Sequence, residues 1–193
     1  MNKKKGLFVV ISGPSGVGKN TICNILVDKG YGNFSVSMTT RGIRDGEEDG
    51  KNYFFVSKED FEKNIEKDNF LEYAKYGDNY YGTLKSYVFD NIDNGNNLIA
   101  EVTIQGGVNI ENIFPEAILI FIMPPSFEEL ENRLRGRNTN SEEDILKRLE
   151  IAKKEIDFSS HYDYVVINNT VDDCVNEIID IINKESIKVN GNH

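Results

Sequence analysis

The chain has 193 residues, of which 39% are hydrophobic and 28% charged, and its formal net charge at pH 7 is −10. These values are typical of one globular domain with a sizeable core, and the acidic balance excludes a general surface for nucleic acid or anionic membranes. No apolar run approaches the roughly 18 residues of a membrane helix, and the apolar stretch before Gly13 is too short for a signal peptide, so a cytoplasmic location is expected.

The first predicted element is a buried strand over residues 7–12, a β-rich apolar run that ends at Gly13 and Pro14. A helix follows and is predicted to stop near Gly30. Its apolar side chains recur at the spacing of one helical face: Ile22, Ile25 and Leu26. The sequence therefore places a glycine-rich loop between a strand and a helix, which is the context in which such a loop binds phosphate.

This loop (GPSGVGKN) matches the pattern G-x-x-x-x-G-K-[ST] from Gly13 through Lys19 and departs from it at Asn20. Its glycines allow backbone N–H groups to converge on phosphate oxygens, and Lys19 is placed to reach the β- and γ-phosphates of a nucleotide. In place of the Ser or Thr hydroxyl that normally contacts Mg²⁺, Asn20 offers a neutral carbonyl oxygen, and the Thr21 hydroxyl points to another side of the helix. Because Mg²⁺ relies mainly on substrate phosphates and water, we predict that the loop still binds a nucleotide.

A mixed segment over residues 34–96 interrupts the strand–helix rhythm. Its predicted elements are short strands at 34–41 and 52–57, a capped helix at 57–68, a hairpin at 70–83 and a helix at 84–93. We interpret this segment as a lobe inserted between two strands of the core.

The rest of the chain alternates apolar strands with amphipathic helices. Strands are predicted at 97–102, 117–123 and 162–168, and helices at 104–113, 126–135, 141–158 and 171–186. Ser126 and Ser141 precede acidic residues and are predicted N-caps of two of these helices. Strands that alternate with helices indicate an α/β fold with a parallel sheet.

All six arginines lie in two stretches of the chain: Arg41 and Arg44, then Arg133, Arg135, Arg137 and Arg148. A guanidinium group offers a planar fork of donors that matches phosphate oxygens. Two such clusters in an acidic protein indicate two anion sites, and chance spacing on solvated faces is the alternative.

Cysteine and histidine usage gives no sign of a metal site built from side chains. Cys23 and Cys174 lie far apart in helical contexts and are predicted to be small buried hydrophobes. His161 and His193 have no partners in the sequence that suggest metal binding.

Taken in order, these motifs resemble those of the guanylate kinases over about residues 6–186. GPSGVGK is similar to the ATP loop of that family, and SVSMTTRGIRDGE to its segment for the GMP phosphate. NYFFVS, FLEYA and NYYGT are similar to the rest of its GMP lobe, residues 124–149 to its lid, and YDYVVIN to its adenine side.

The resemblance implies a P-loop α/β fold of three layers with a parallel sheet at its core. The core is then expected at 1–33, 97–130 and 155–193, a mixed α/β GMP-binding lobe at 34–96, and a small helical lid at 131–154. It implies transfer of the γ-phosphoryl group of ATP to GMP, giving ADP and GDP in purine nucleotide metabolism, with dGMP as a further candidate substrate. Mg²⁺ is expected to bind with ATP, mainly through phosphates and water, and no nucleic acid, membrane or obligate protein partner is expected.

The resemblance also assigns roles to particular residues. The ATP site is expected at Gly13, Pro14, Ser15, Gly16, Val17, Gly18, Lys19, Asn20, Thr21 and Asn168. The GMP site is expected at Ser37, Arg41, Arg44, Tyr53, Glu72, Tyr81, Thr83 and Glu101. The catalytic set is expected to be Lys19, Arg41, Arg133, Arg137 and Arg148, whereas Arg135 falls outside the matching positions and is expected to be a helix-surface charge.

These assignments suit the chemistry of the substrates. Two guanidinium forks and two phenols suit the GMP phosphate, and a carboxylate such as Glu72 can accept both donors of the guanine edge, N1–H and N2–H₂. Adenine, which has an acceptor at N1, would meet Glu72 unfavourably. Taken alone, Tyr53 and Tyr81 would be interpreted as core or hairpin aromatics and Glu72 as a solvated hairpin charge.

The chain departs from the family at two positions. The motif EVTIQGG keeps Glu101 but has Thr103 where a second acid is usual, and Asn169 replaces an Asp after Asn168. Two alternative functions remain at this point: a non-catalytic guanylate-kinase-like module that binds protein segments, and a kinase for a phosphorylated sugar such as a ribose bisphosphate. Turnover of ATP excludes the first, and a requirement for GMP excludes the second.

Overall fold

Two β-sheets organise the computed structural model, which describes residues 4–136 and 141–191. In chain order the strands are β1 (Phe8–Ser12), β2 (Asn33–Phe34), β3 (Ser37–Thr39), β4 (Tyr53–Phe55), β5 (Phe70–Tyr76), β6 (Asn79–Leu84), β7 (Leu98–Glu101), β8 (Ile118–Met123) and β9 (Tyr164–Ile167). The helices are α1 (Lys19–Asp28), α2 (Lys58–Glu66), α3 (Lys85–Asp93), α4 (Ile104–Ile113), α5 (Phe127–Arg135), α6 (Glu142–Asp157) and α7 (Val171–Asn190).

The core sheet is parallel, with the strand order β2-β7-β1-β8-β9. Alternate side chains of β1 point to opposite faces. Val9 and Ile11 pack in a cluster with residues of α1 and α7. Phe8 and Val10 pack in a second cluster with residues of α3 and α4. Helices therefore cover both faces of a buried parallel sheet, and the predicted three-layer α/β core is confirmed.

The second sheet has the order β4-β3-β6-β5 and contains one parallel and two antiparallel pairings. Helix α2 covers it through Phe61, whose ring stacks on Phe70 at 4.5 Å and on Tyr80 at 5.2 Å between centroids. The Ser57 side chain caps α2 by accepting from the Asp60 N–H. This small cluster packs α2 onto the second sheet, whereas Leu71 at the start of β5 is buried in the core cluster that contains Phe8.

The predicted strand over residues 34–41 is divided between the two sheets. Asn33 and Phe34 pair with β7 in the core sheet, whereas Ser37 to Thr39 pair with β4 and β6 in the second sheet. Local sequence patterns cannot distinguish these cases, because an apolar run looks the same in either sheet.

Helix α3 lies within the segment predicted as the inserted lobe, yet it packs on the core sheet. Val88 and Ile92 are buried in the cluster that contains Phe8 and Leu98. The lobe boundaries at 34–96 therefore remain a prediction, and the segment that they enclose includes a helix that packs on the core sheet.

Helices α5 and α6 form a separate apolar pair, whose buried residues are Leu130, Leu134, Ile145, Leu149 and Ala152. Ser126 and Ser141 accept hydrogen bonds from the Glu129 and Asp144 N–H groups, which confirms both predicted N-caps. Among the helices in the two described ranges, none combines the length and apolarity needed to span a membrane.

Candidate active site

Three cavities adjoin at the carboxyl end of the core sheet. The largest, about 580 Å³, is bounded by the second sheet and by residues 101–103. A cavity of about 490 Å³ lies between α1 and the second sheet, and a smaller one of about 190 Å³ lies at the glycine-rich loop. Glu101, at the end of β7, borders all three cavities. A ligand at the loop and a ligand in the second sheet therefore share this carboxylate as a neighbour.

The glycine-rich loop joins the buried end of β1 to the start of α1. Gly16 has φ +92°, a backbone conformation that glycine accepts at low cost, and a Cβ there would lie 2.8 Å from Cδ2 of Leu134 on α5. Helix α1 begins at Lys19 without a side-chain cap. Its N-terminal N–H groups and partial positive charge face the loop, which suits an anion.

The Lys19 ammonium lies within this loop. Its Nζ donates to the carbonyl oxygens of Gly13 at 2.7 Å and Pro14 at 3.3 Å. The charge is thus held at the mouth of the small cavity that Ser15, Gly18 and Lys19 itself line.

Asn20 and Thr21 follow Lys19 and are exposed. The Asn20 Oδ1 accepts a hydrogen bond of 3.0 Å from Nδ2 of Asn24, one turn further along α1. Asn20 lines the same small cavity as Glu101, so an amide oxygen and a carboxylate face one space.

Two arginines of the helical pair reach the loop side of the site. Arg148 Nη1 donates to Ser15 Oγ at 3.3 Å. Arg133 Nη2 donates to the Asn168 carbonyl oxygen at 3.2 Å, and its Nε is held by Glu129 at 2.9 Å. The structure brings both side chains to residues predicted for the ATP site.

Asn168, which follows β9, is 2% exposed and connects three parts of the site. Its Nδ2 donates to the Val17 carbonyl oxygen at 2.7 Å, and its own carbonyl oxygen accepts from Arg133. Its Oδ1 is buried and has no hydrogen-bond partner among the described residues.

Two other arginines of the second cluster differ from these. Arg137 lies outside the described residues. Arg135 is more than the expected surface charge, since it pairs with Glu131 at 2.7 Å on its own helix and with Glu142 at 2.6 Å on α6. It ties the two helices of the pair together.

Glu72 lies on the wall of the large cavity, beside Ser37, Tyr53 and Tyr81. Its Oε1 accepts a 2.7 Å hydrogen bond from the Thr83 hydroxyl on the paired strand. Burial raises the pKa of Glu72, and the hydrogen bonds from Thr83 oppose that rise. The interpretation of Glu72 as a solvated hairpin charge is therefore wrong.

Arg41 lies beside the two predicted tyrosines. Its guanidinium group is 5.4 Å from the centroid of the Tyr53 ring, and the rings of Tyr53 and Tyr81 meet edge to face at 6.0 Å. Burial raises the pKa of Tyr53, so its hydroxyl remains a donor at neutral pH. Arg44 is exposed on the same loop.

The sequence pattern does not single out Glu47, although it pairs with Arg41 through two hydrogen bonds of 2.7 and 2.9 Å. It is one of four acidic residues between positions 45 and 49, and its spacing from the two arginines does not distinguish it from the others. Val102, Ala74 and Tyr76 also line the large cavity. Ala74 and Tyr76 follow Glu72 at intervals of two on β5, so strand alternation could have identified them.

Thr103 lines the large cavity and also has a structural role. It is the N-cap of α4, and its Oγ1 accepts from the Gly106 N–H at 3.1 Å. The chain departs from the guanylate kinase pattern at this position, and the hydroxyl that it carries there accepts a hydrogen bond from the backbone of α4.

Comparisons with known proteins show which family the chain resembles in sequence and fold. The family described as guanylate kinase matches residues 5–185. A guanylate kinase of Caldanaerobacter subterraneus subsp. tengcongensis is 51% identical over 98% of this chain and 93% of its own length. A guanylate kinase of Clostridium tetani is 49% identical over 96% of this chain and 89% of its own length. The crystal structure of guanylate kinase from Anaplasma phagocytophilum is similar with a TM-score of 0.73 and 33% identity, covering 97% of this chain and 89% of that one.

Proposed function

Because the chain belongs to the guanylate kinase family and transfers the γ-phosphoryl group of ATP to GMP, we propose that this transfer takes place where the three cavities meet at Glu101. That junction is the observation that carries the proposal, since it joins the glycine-rich loop to the pocket of the second sheet. The relatives at about half identity are guanylate kinases, so the alternatives of a binding module and of a sugar-phosphate kinase do not hold.

On the ATP side, the loop glycines and the N-terminus of α1 would bind the phosphates through backbone N–H groups. Lys19 would act on the β- and γ-phosphates. Arg133 and Arg148 lie against Asn168 and Ser15 and would add positive charge around the transferred group. Asn168 would lie on the adenine side and support the loop through its bond to the Val17 carbonyl oxygen.

On the GMP side, the charge of Arg41 and Arg44 and the hydroxyls of Tyr53 and Tyr81 would hold the phosphate. The Glu72 carboxylate would accept the two guanine donors while Ser37 and Thr83 bond to the rest of the base. The hydrogen bond from Thr83 already fixes the orientation of this carboxylate.

Mg²⁺ bound with ATP would supply charge neutralisation at the phosphate oxygens. The residues that fit it are Asn20 and Glu101, since amide and carboxylate oxygens are hard ligands and both line the small cavity. Among the described residues there is no cluster of three or more acidic, histidine or cysteine side chains that could hold a metal. This donor set suits an ion held chiefly by phosphates and water.

The catalytic contribution of the chain would be positioning and electrostatics. The arginines and Lys19 hold the two substrates in line and neutralise charge on the moving group, and no dedicated general base is needed. Approach of the helical pair and the second sheet would exclude water that otherwise hydrolyses ATP.

A panel of nucleotides tests the base assignment. Initial rates of ADP release with GMP, dGMP, AMP, CMP and UMP should show a preference for GMP of about 10⁴-fold over AMP, as is typical of sites that hydrogen-bond a polar substrate edge. Equal rates with all the ribonucleotides would rule out Glu72, Ser37 and Thr83 as base contacts.

Replacing Thr103 by Asp tests the departure from the family. Asp caps a helix at least as well as Thr, so α4 should be unaffected, while the added carboxylate borders the large cavity. We expect about a threefold or larger rise in kcat/KM for GMP, or half-maximal activity at a lower Mg²⁺ concentration. Both are measured by Mg²⁺ titration at fixed ATP.

Thr103→Asn is the matched control, because it caps α4 equally well without the charge. The two variants should have the same melting temperature and differ only in activity. Identical kinetics in both variants and the wild type would show that this position contacts neither the base nor a metal-bound water.

A further inference from the structure

The Glu47 carboxylate accepts three hydrogen bonds at the end of the loop that carries the arginines. Its two carboxylate oxygens accept from Nη1 and Nη2 of Arg41 at 2.9 and 2.7 Å. Its Oε2 also accepts from the backbone N–H of Arg44 at 2.8 Å. One carboxylate therefore contacts both of the arginines that are proposed to bind the GMP phosphate.

This contact is sheltered compared with the other ion pairs of the lobe. The Arg41 and Glu47 side chains are 12% and 19% exposed, whereas those of Lys51 and Glu48 next to them are 71% and 69% exposed. The rings of Tyr53 and Phe55 lie 5.4 and 5.6 Å from the guanidinium carbon. The pair holds the pKa of Glu47 below its usual range, so Glu47 is ionised at neutral pH.

The loop between the two members of this pair has little else to fix its shape. Residues 42–46 are all exposed, and Gly42 and Gly46 stand at its two ends. Gly46 adopts φ +84°, a conformation that glycine accepts at low cost. Among the described hydrogen bonds, loss of the Glu47 carboxylate would leave this loop with the bond from the Glu47 N–H to the Arg44 carbonyl oxygen, at 3.0 Å, and the bond from Arg41 to the Gly42 carbonyl oxygen.

The ion pair does not exhaust the donors of Arg41. A guanidinium group has five N–H donors. Glu47 takes two of them, and the Gly42 carbonyl oxygen accepts one from Nη1 at 2.7 Å. The Tyr81 hydroxyl also interacts with this guanidinium group. Nε–H and the second hydrogen of Nη2 lie outside the contacts with Glu47 and Gly42 and form a side-on fork, which is the geometry that binds a phosphate through two oxygens.

We infer that Glu47 is a positioning residue for GMP: it orders the 41–47 loop so that the side-on fork of Arg41 and the side chain of Arg44 are in place before the phosphate arrives. This inference rests on the proposed function of the two arginines. It assigns to Glu47 no contact with the substrate, since its role is exerted through Arg41 and Arg44.

Glu47 has a second, opposing effect, because its negative charge repels the phosphate dianion. That repulsion acts across the Arg41 guanidinium, whose positive charge is paired with the carboxylate through two hydrogen bonds and offsets it. The ordering effect involves the backbone of several exposed residues, including two glycines, and their entropy would otherwise be lost on each binding event. We therefore expect the ordering effect to dominate and removal of Glu47 to weaken GMP binding.

The test compares Glu47→Ala with Glu47→Asp, and with Glu48→Ala, which removes the same charge from the adjacent exposed position. For Glu47→Ala, KM for GMP should rise about tenfold, while kcat at saturating GMP and KM for ATP stay within about twofold. Glu47→Asp should recover part of the loss, and Glu48→Ala should match the wild type. Melting temperatures confirm that all three variants fold.

Guanosine, used as a competitive inhibitor, separates positioning from a general disturbance of the lobe. It has the base but lacks the phosphate, so its inhibition constant should be the same in Glu47→Ala and the wild type. An unchanged or lower KM for GMP in Glu47→Ala, equal weakening of GMP and guanosine, or an equal effect of Glu48→Ala would each overturn the inference. If the wild type shows no preference for GMP in the nucleotide panel, the proposed base site is overturned instead, independently of the results for the Glu47 variants.

Discussion

Lys19→Ala is expected to lower kcat by about 10²- to 10³-fold, because it removes a fixed positive charge that would stabilise the phosphoryl group during its transfer. The ammonium is held by the carbonyl oxygens of Gly13 and Pro14, inside the loop itself. Since the charge on the phosphoryl oxygens matters most in the transition state, the loss should appear in kcat more than in KM for ATP. A coupled assay of ADP release at saturating ATP and GMP measures it.

Lys29→Ala is the matched control for this variant. Lys29 is exposed at the C-terminal end of α1, so its removal deletes an equal charge from the same helix away from the site. It should leave kcat within about twofold of the wild type. An unaltered rate in Lys19→Ala would rule out the glycine-rich loop as the site of the transferred phosphate.

Glu72→Gln should lower kcat/KM for GMP by about 10²-fold or more, because the guanine edge presents two donors and an amide offers one acceptor beside a donor of its own. The preference for GMP over AMP should fall with it. Asp78→Asn, at the exposed turn of the same hairpin, provides the control and should behave as the wild type. Full GMP preference in Glu72→Gln would mean that another group reads the base.

The stability of Glu72→Gln should move in the opposite direction from its activity. Burial raises the pKa of Glu72 in the folded protein. Its contribution to folding stability is therefore complete below the unfolded pKa and is lost as the pH rises through the folded pKa. At neutral pH the ionised carboxylate costs folding free energy, so the variant should melt at the same temperature as the wild type or higher.

The same pKa shift gives the pH dependence of substrate binding. Since the proposed guanine contact needs the carboxylate form of Glu72, KM for GMP in the wild type should rise as the pH falls through the raised pKa. In Glu72→Gln this component should be absent, and only the rise due to protonation of the GMP phosphate, whose second pKa is about 6, should remain. Initial rates between about pH 4 and pH 8 measure both, and an identical pH profile in the variant would contradict the assignment.

The parts of the site that depend on local sequence could be predicted. The glycine-rich loop follows from a buried strand, fixed glycine spacing and a helix, all within residues 7–30. The N-caps at Ser126 and Ser141 follow from one side chain and its near neighbours. The assignment of Glu72 needed the order of motifs along the chain, because a single acid in a hairpin carries no signal of burial.

What could not be predicted depends on contacts between distant or unpatterned residues. The division of residues 33–39 between two sheets depends on which strands pair with them. The position of α3 on the core sheet depends on the packing of Val88 and Ile92 in the same cluster as Phe8. Glu47 looked like any acid in a charged loop, and Thr103 could be interpreted only as a missing acid until its bond to the Gly106 N–H was known.

The division of that strand has a mechanical consequence. Ser35 and Val36 alone separate Phe34, which is fixed in the core sheet, from Ser37, which belongs to the second sheet. On this side the link between the two sheets is therefore only two residues long. A second attachment lies at the start of β5, two strands or about 10 Å from β3, where Leu71 is buried in the core cluster with Phe8 and Ile110. Any movement of the second sheet on the core would therefore have to bend the Ser35–Val36 link, next to the proposed base contact Ser37, and also disturb the packing of Leu71.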